Sequence, residues 1–270
     1  FTTQETTQTQ EKIKIECSPE DKEKYLDDLK TRPTSMIETY IKNFRAQQTL
    51  SKDKLKTVTR IILTGKSFKS IPELVELNKD LAHADAKADI YLYLSDNSWI
   101  GISVKQSDHA TKSNLSVHKC FSKEEEKKCT ETKAEYLNSN GFNKFDKDER
   151  GEVNKLFYTT NPYWELIKNL IKEHNTEVKK KITETLYCKR TPYPMFEYDG
   201  KQIKNMHCEI DPKDITFEEH EEFYMTKKGV RRNAAKLFYL LSTPIKKYRV
   251  EIRWKGNIFS SSPQFQTHAI

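Results

Sequence analysis

Between residues 88 and 107 the sequence reads ADIYLYLSDNSWIGISVKQS. Ile90, Leu92 and Leu94 alternate with Asp89, Tyr91 and Tyr93. After a short polar break, Ile100, Ile102 and Val104 alternate with Trp99, Gly101, Ser103 and Lys105. Two period-two runs around an Asp-Asn turn predict an antiparallel β-hairpin. Opposed residues of an antiparallel pair share a face, so a register with Tyr93 opposite Trp99 also sets Asp89 opposite Ser103, with Lys105 one diagonal step away. The hairpin therefore gathers a carboxylate, a hydroxyl and an ammonium on one face at a strand end.

That combination suits phosphodiester hydrolysis. A carboxylate holds Mg²⁺, the metal polarises a phosphoryl oxygen and activates water, and a lysine orients the water or offsets developing charge. Asp89 followed across the hairpin by Ser103-Val104-Lys105 resembles the signature of the PD-(D/E)XK nuclease superfamily, in the Ser-x-Lys variant met among type II restriction endonucleases. The resemblance covers residues 70 to 120. It implies a restriction-endonuclease-like α/β fold, a mixed β-sheet flanked by helices, and a Mg²⁺-dependent endonuclease acting on double-stranded DNA. Asp89 would hold the metal, Lys105 would assist the attacking water, and Ser103 would stand where the pattern has a second acid.

A neutral serine there leaves the metal one carboxylate short, and the resemblance implies that a helix elsewhere supplies it. The candidates are Glu73 and Glu76 on a predicted helix before the hairpin, or Glu124 to Glu126 after it. Glu73 is preferred, because the family recurrently carries a glutamate on the helix ahead of its first active strand. The resemblance also implies a homodimer on a palindromic site, with a companion DNA methyltransferase as a further partner. A repair or junction-resolving nuclease of the same superfamily, and a non-catalytic DNA- or RNA-binding protein, are the alternatives.

Charge is unevenly placed. The chain of 270 residues carries a net +7. Lys227 to Ile270 alone holds ten basic residues against one acid, which leaves the remainder net negative. Such segregation is the footprint of a polyanion partner, because basic side chains that neutralise phosphates release condensed counterions. Arg231 and Arg232 fall in GVRRNAAKLFYLLST, predicted as a helix. Arg249, Arg253 and Lys255 fall on one side of KKYRVEIRWKGN, which alternates as a strand with Tyr248, Val250, Ile252 and Trp254 on the other. These five are the predicted C-terminal DNA contacts, unless acids such as the EEHEE run simply neutralise them. Directly after the hairpin, KQSDHATKSN is rich in hydrogen-bonding side chains and reads as a polar loop. If the hairpin end is a site, Gln106, Ser107, Lys112, Ser113 and Asn114 face DNA there.

The remaining segments complete one predicted domain over 1–270: a helical N-terminal region (1–60), a catalytic core (61–135), and helices with the basic C-terminal strand region (136–270). Helical spacing predicts helices over 18–30, 34–48, 51–65 and 70–81, an exposed helix over 123–138, and an amphipathic one over 161–188. Residues 189–210 read as a loop followed by short strands, and the first ten residues as mobile.

Five cysteines without CxxC spacing signal neither a disulfide framework nor a zinc knuckle. His118, Cys120 and Cys129 lack a fourth ligand. No GxxxxGK[ST] loop is present, which argues against an ATP-driven enzyme. No apolar run reaches the length of a membrane span, and no secretory leader is visible, so a cytoplasmic protein with no membrane partner is expected.

Overall fold

Val58, Thr59, Ile61 and Ile62 place β-branched side chains along VTRIIL, which suits a pleated strand better than a helix. The computed structural model has a strand there, correcting the helix expected over 51–65. It describes residues 4–8, 11–17, 58–64, 68–69, 71–81, 88–105, 111–144, 146, 149–198, 203–230 and 235–270. The helices expected over 18–30 and 34–48, and the site candidates Gln106, Ser107, Arg231 and Arg232, lie outside the described residues.

The first strands are β1 (Gln4–Gln8), β2 (Glu11–Cys17), β3 (Val58–Leu63), β4 (Ile90–Leu94), β5 (Trp99–Val104) and β6 (Ser113–Ser116). They continue with β7 (Met195–Tyr198), β8 (Ile203–Asn205), β9 (Thr216–Glu219), β10 (Lys236–Ser242), β11 (Lys247–Arg253) and β12 (Gln264–Ala269). The described helices are α1 (Pro72–Leu77), α2 (Lys123–Ser139), α3 (Arg150–Leu156), α4 (Pro162–Glu173) and α5 (Asn175–Leu186).

Contacts divide the chain into two compact units. Unit 1 comprises Phe1–Asp108 and Tyr187–Cys208, and unit 2 comprises His109–Leu186 and Glu209–Ile270. Unit 1 is built on a seven-stranded mixed sheet in the order β1-β2-β3-β4-β5-β7-β8. Its pairings are antiparallel except β2 with β3 and β5 with β7, which run parallel. Strands at Gln4–Gln8 and Glu11–Cys17 correct the expectation of a mobile start and an all-helical N-terminal region. Unit 2 is built on a wholly antiparallel sheet in the order β6-β12-β11-β10-β9.

Both faces of the unit 1 sheet are apolar. One carries Ile61, Leu63, Ile90, Leu92, Ile100, Ile102 and Tyr198. The other carries Ile62, Tyr91, Tyr193 and Met195 beneath Ile71 and Leu74 of the α1 region. Within this second core Asn78 donates to the Leu74 carbonyl and the Tyr91 hydroxyl, and Tyr193 donates to Asn78 Oδ1 at 2.5 Å, so its buried polar atoms are partnered.

Three further differences from the sequence reading have local causes. GVRRNAAKLFYLLST is strand β10 from Lys236, not a helix, because Leu237 to Leu241 lies between β9 and β11 and an unbroken apolar run fits a strand packed on both faces. Residues 161–188 form two helices: His174 caps the first, and its carbonyl accepts from the Val178 N–H in the next. Ser113–Ser116, expected as part of a polar loop, is strand β6 paired with β12. Helix α2 packs on α4, and α5 packs on β6 and β9.

Candidate functional site

The hairpin has the register that its alternation predicts. Tyr93 stands opposite Trp99, and Ile90 opposite Ile102. Just before β4, the Asp89 N–H donates to the Ile102 carbonyl at 2.8 Å, and the Asp89 carbonyl accepts from the Thr64 N–H at 3.0 Å. The buried Thr64 hydroxyl also bonds the Ala88 carbonyl at 3.0 Å. The backbone at Asp89 is thus held from strands on both sides.

The Asp89 side chain turns back onto the partner strand. Its Oδ2 accepts the Val104 N–H at 2.7 Å, with the Ser103 hydroxyl at 3.5 Å, the outer limit of a hydrogen bond. Ser103 is fully buried, whereas Asp89 and Lys105 are half-buried. The Lys105 N–H donates to the Tyr198 carbonyl, and no ion pair joins its ammonium to Asp89 among the described residues. Asp89, Ser103 and Lys105 therefore share one strand end.

Strand β7 adds a residue that the sequence reading missed. In the parallel pairing of β5 with β7, Gly101 aligns with Met195 and Ser103 with Glu197. Aligned residues point to the same side, and a Cβ on Gly101 would meet Met195, so Glu197 lies on the Asp89 face. Beyond it, Lys204 of β8 stands opposite Glu197. Asp89, Ser103, Glu197 and Lys204 thus form a row across four neighbouring strands, with the small serine between the two carboxylates. The local signal was the alternation in MFEY, one acid in an otherwise apolar strand. Its pairing with β5 spans the whole intervening segment of unit 2 and leaves no period in the sequence.

Glu73 is placed differently. Its carboxylate is gripped by Arg60, with Nη1 to Oε1 at 3.3 Å and Nη2 to Oε2 at 2.9 Å. Arg60 pairs with Tyr93, near the turn of the hairpin, while Asp89 lies level with Thr64. Four residues of strand correspond to about 13 Å. Glu76 binds Lys79. On α2, Glu125 closes a capping box with Ser122 and bonds His174 Nε2 at 2.7 Å, which holds its carboxyl below the usual range. Glu125, Glu173 and His174 form the one three-ligand cluster among the described residues.

The other candidates lie in unit 2. The Lys112 N–H pairs with the Thr267 carbonyl, and Ser113, buried, bonds the Thr267 hydroxyl at 2.9 Å. Asn114 is half-buried opposite Gln266. Ser113 and Asn114 are residues of β6, Lys112 directly precedes it, and the Ser113 hydroxyl is buried. On β11 the buried Glu251 lies between Arg249 and Arg253 and binds both, at 3.2 and 3.7 Å, and also Lys236 at 3.0 Å. Burial pushes its carboxyl up, but the hydrogen bond and charge of Lys236, with Arg249 and His268, outweigh this and leave it below the usual carboxylate range. The acid that partners the arginines is in their own strand rather than in the EEHEE run. Lys255 is exposed beyond the strand. Burial pushes the Cys120 thiol up to about 12 and the Cys129 thiol to about 11, so neither is a thiolate at neutral pH.

Together these features define a mixed α/β protein with two mostly antiparallel sheets and a polar row at the strand ends of the first. No family model, curated protein or solved structure matches the chain. Among the described residues no helix is long and apolar enough to cross a membrane.

Proposed function

We propose that this chain is a Mg²⁺-dependent endonuclease of double-stranded DNA, of the PD-(D/E)XK, restriction-endonuclease-like type, acting as a sequence-specific type II enzyme. The observation that carries the reading is the row of Asp89, Ser103 and Glu197 beside Lys105. Hard oxygen donors flanking a small serine are a donor set that fits Mg²⁺. Asp89 and Glu197 would hold the ion, with Glu197 in the role first given to Glu73, whose carboxylate is engaged by Arg60.

Bound there, Mg²⁺ supplies a Lewis acid for a phosphoryl oxygen and lowers the pKa of a coordinated water. Lys105 orients the attacking water and offsets charge growing on the phosphate. The Val104 N–H fixes the Asp89 carboxylate before substrate arrives. Arg249, Arg253 and Lys255 are the proposed unit 2 contacts to the DNA backbone. A cytoplasmic homodimer acting on a palindromic site, alongside a companion methyltransferase, completes the proposal by family analogy.

One observation favours a scaffold reading instead. The bond from Asp89 Oδ2 to the Val104 N–H also closes the end of the β-ladder, a purely structural task. A DNA-binding protein without activity would use Asp89 in that way alone. Incubation of unmethylated plasmid and phage DNA with Mg²⁺ or EDTA, alongside Lys105→Ala, separates the two. Discrete metal-dependent bands lost in the variant support the nuclease. Intact DNA in every lane, with a salt-sensitive gel shift, supports the scaffold.

A further inference from the structure

Unit 2 holds a cavity of about 430 Å³ between helix α3 and the β11–β12 connection. Among the described residues four cations line it, Arg150, Lys236, Arg253 and Lys255, and no carboxylate does. Glu251 stands behind two of them, binding Lys236 and Arg253, so the wall keeps a net positive charge while those two cations are held in place. Lys236 and Arg253 are cross-strand partners at the open end of the β10–β11 hairpin. The half-buried rings of Tyr158 and Phe259 complete the lining.

The cavity is preformed. Trp254 is wedged among Phe157, Tyr163 and Trp164, with ring centroids 4.8, 5.6 and 4.7 Å away, and donates Nε1–H to the Ser261 carbonyl at 3.2 Å. The connection that follows is closed by its own bonds. Asn257 Oδ1 accepts the Phe259 N–H at 2.9 Å, its carbonyl accepts the Ser261 N–H at 3.0 Å, and the buried Lys133 donates to the Ser261 carbonyl at 2.8 Å. A ligand therefore meets ordered walls and loses little affinity to their rearrangement.

We infer that this cavity binds a single nucleotide, its phosphate on the cations and its base against Tyr158 and Phe259. The volume falls in the range of small-molecule sites and is far too small for a duplex. An anion without a planar group would leave the aromatic wall wet, and an uncharged aromatic would make no use of the basic wall; a nucleotide uses both. The inference shares Arg253 and Lys255 with the proposed DNA contacts but uses none of the proposed catalytic residues, because Asp89, Ser103, Lys105 and Glu197 lie in unit 1 and the cavity lies in unit 2.

The test is calorimetric titration of the full chain with the four deoxynucleoside 5′-monophosphates and with inorganic phosphate. It is repeated for Lys255→Glu, which alters an exposed residue and spares the fold, for Arg253→Gln, and for Asp89→Asn. Expected are binding of at least one nucleotide about tenfold tighter than phosphate, a loss of about tenfold in each unit 2 variant, and no change in Asp89→Asn. A short duplex carrying 2-aminopurine distinguishes the sources of the nucleotide. A fluorescence rise in the native chain that Lys255→Glu abolishes assigns the pocket to a base drawn out of a strand, and its absence alongside mononucleotide binding assigns it to a free nucleotide. No nucleotide binding at millimolar concentration, phosphate binding as tight as nucleotide, or affinity unchanged in both unit 2 variants overturns the inference.

Discussion

Arg60 holds Glu73 through both guanidinium nitrogens, at 3.3 and 2.9 Å, and Arg60 itself lies over the Tyr93 ring at 5.7 Å from the centroid. The two-point grip directs the carboxylate of Glu73 to the turn end of the hairpin, away from the strand end where Asp89 meets Ser103. Glu197, aligned with Ser103, lies at the same strand end as Asp89.

Cleavage should therefore separate the two glutamates. Glu197→Gln is expected to lower metal-dependent cleavage by a factor of about 100 or more, and Glu73→Gln to leave it within about threefold. Asp89→Asn should also abolish cleavage while folding normally, since the amide oxygen still accepts the Val104 N–H. Assays on one plasmid substrate decide it. A crippled Glu73→Gln beside an active Glu197→Gln would return the assignment to the helix.

Gly101 sits where β4, β5 and β7 crowd together. An added Cβ would lie 2.3 Å from Met195 Sδ, 2.8 Å from Tyr193 Cε2 and 3.0 Å from Ala88 Cβ. The methionine can move aside, but the ring and the alanine cannot. Gly101→Ala should destabilise by about 1–3 kcal/mol, measured by urea unfolding. Adding Met195→Ala should recover little of that loss, and a full recovery would mean that the thioether alone limits the space.

Lys133 is buried on α2 with its ammonium on the Ser261 carbonyl. Burial drives its pKa down from 10.5 to about 8. Between those values the unfolded chain keeps a proton that the folded chain has released, so this residue makes stability rise with pH across that window. Below pH 8 the buried charge opposes folding in full. Lys133→Met should thus be stabilised over the native chain most below pH 8, and its advantage should shrink toward pH 10.5. Melting curves from pH 6 to 10.5 that show a constant difference would rule out the buried charge as the cause.

Tyr163 is buried within the aromatic cluster, and its hydroxyl has no hydrogen-bond partner among the described residues. Desolvation raises its pKa well above 10.0. Tyr163→Phe keeps the ring contacts with Phe157, Trp164 and Trp254 and removes the orphaned hydroxyl. The variant should be equal to the native chain or more stable by about 1 kcal/mol. A clear loss of stability would reveal a partner for that hydroxyl.

What the sequence by itself determined is local and periodic. The alternation from Asp89 to Lys105 specified a hairpin, its register and the meeting of Asp89 with Ser103, because a one-residue slip would set the face of Ile90, Leu92, Ile100 and Ile102 against that of Tyr91 and Gly101. The exposed helix expected over 123–138 is likewise present as α2 (Lys123–Ser139). Where periodicity was mute, neighbours decided. The run from Leu237 to Leu241 has the composition of a buried helix or a central strand, and pairing with β9 and β11 made it a strand. The partner of Ser103 was settled by tertiary structure alone. Glu197 reaches it only because β7 runs parallel to β5, a pairing that joins residues far apart in the chain and rests on the packing of Met195 against Gly101 rather than on any pattern either segment carries.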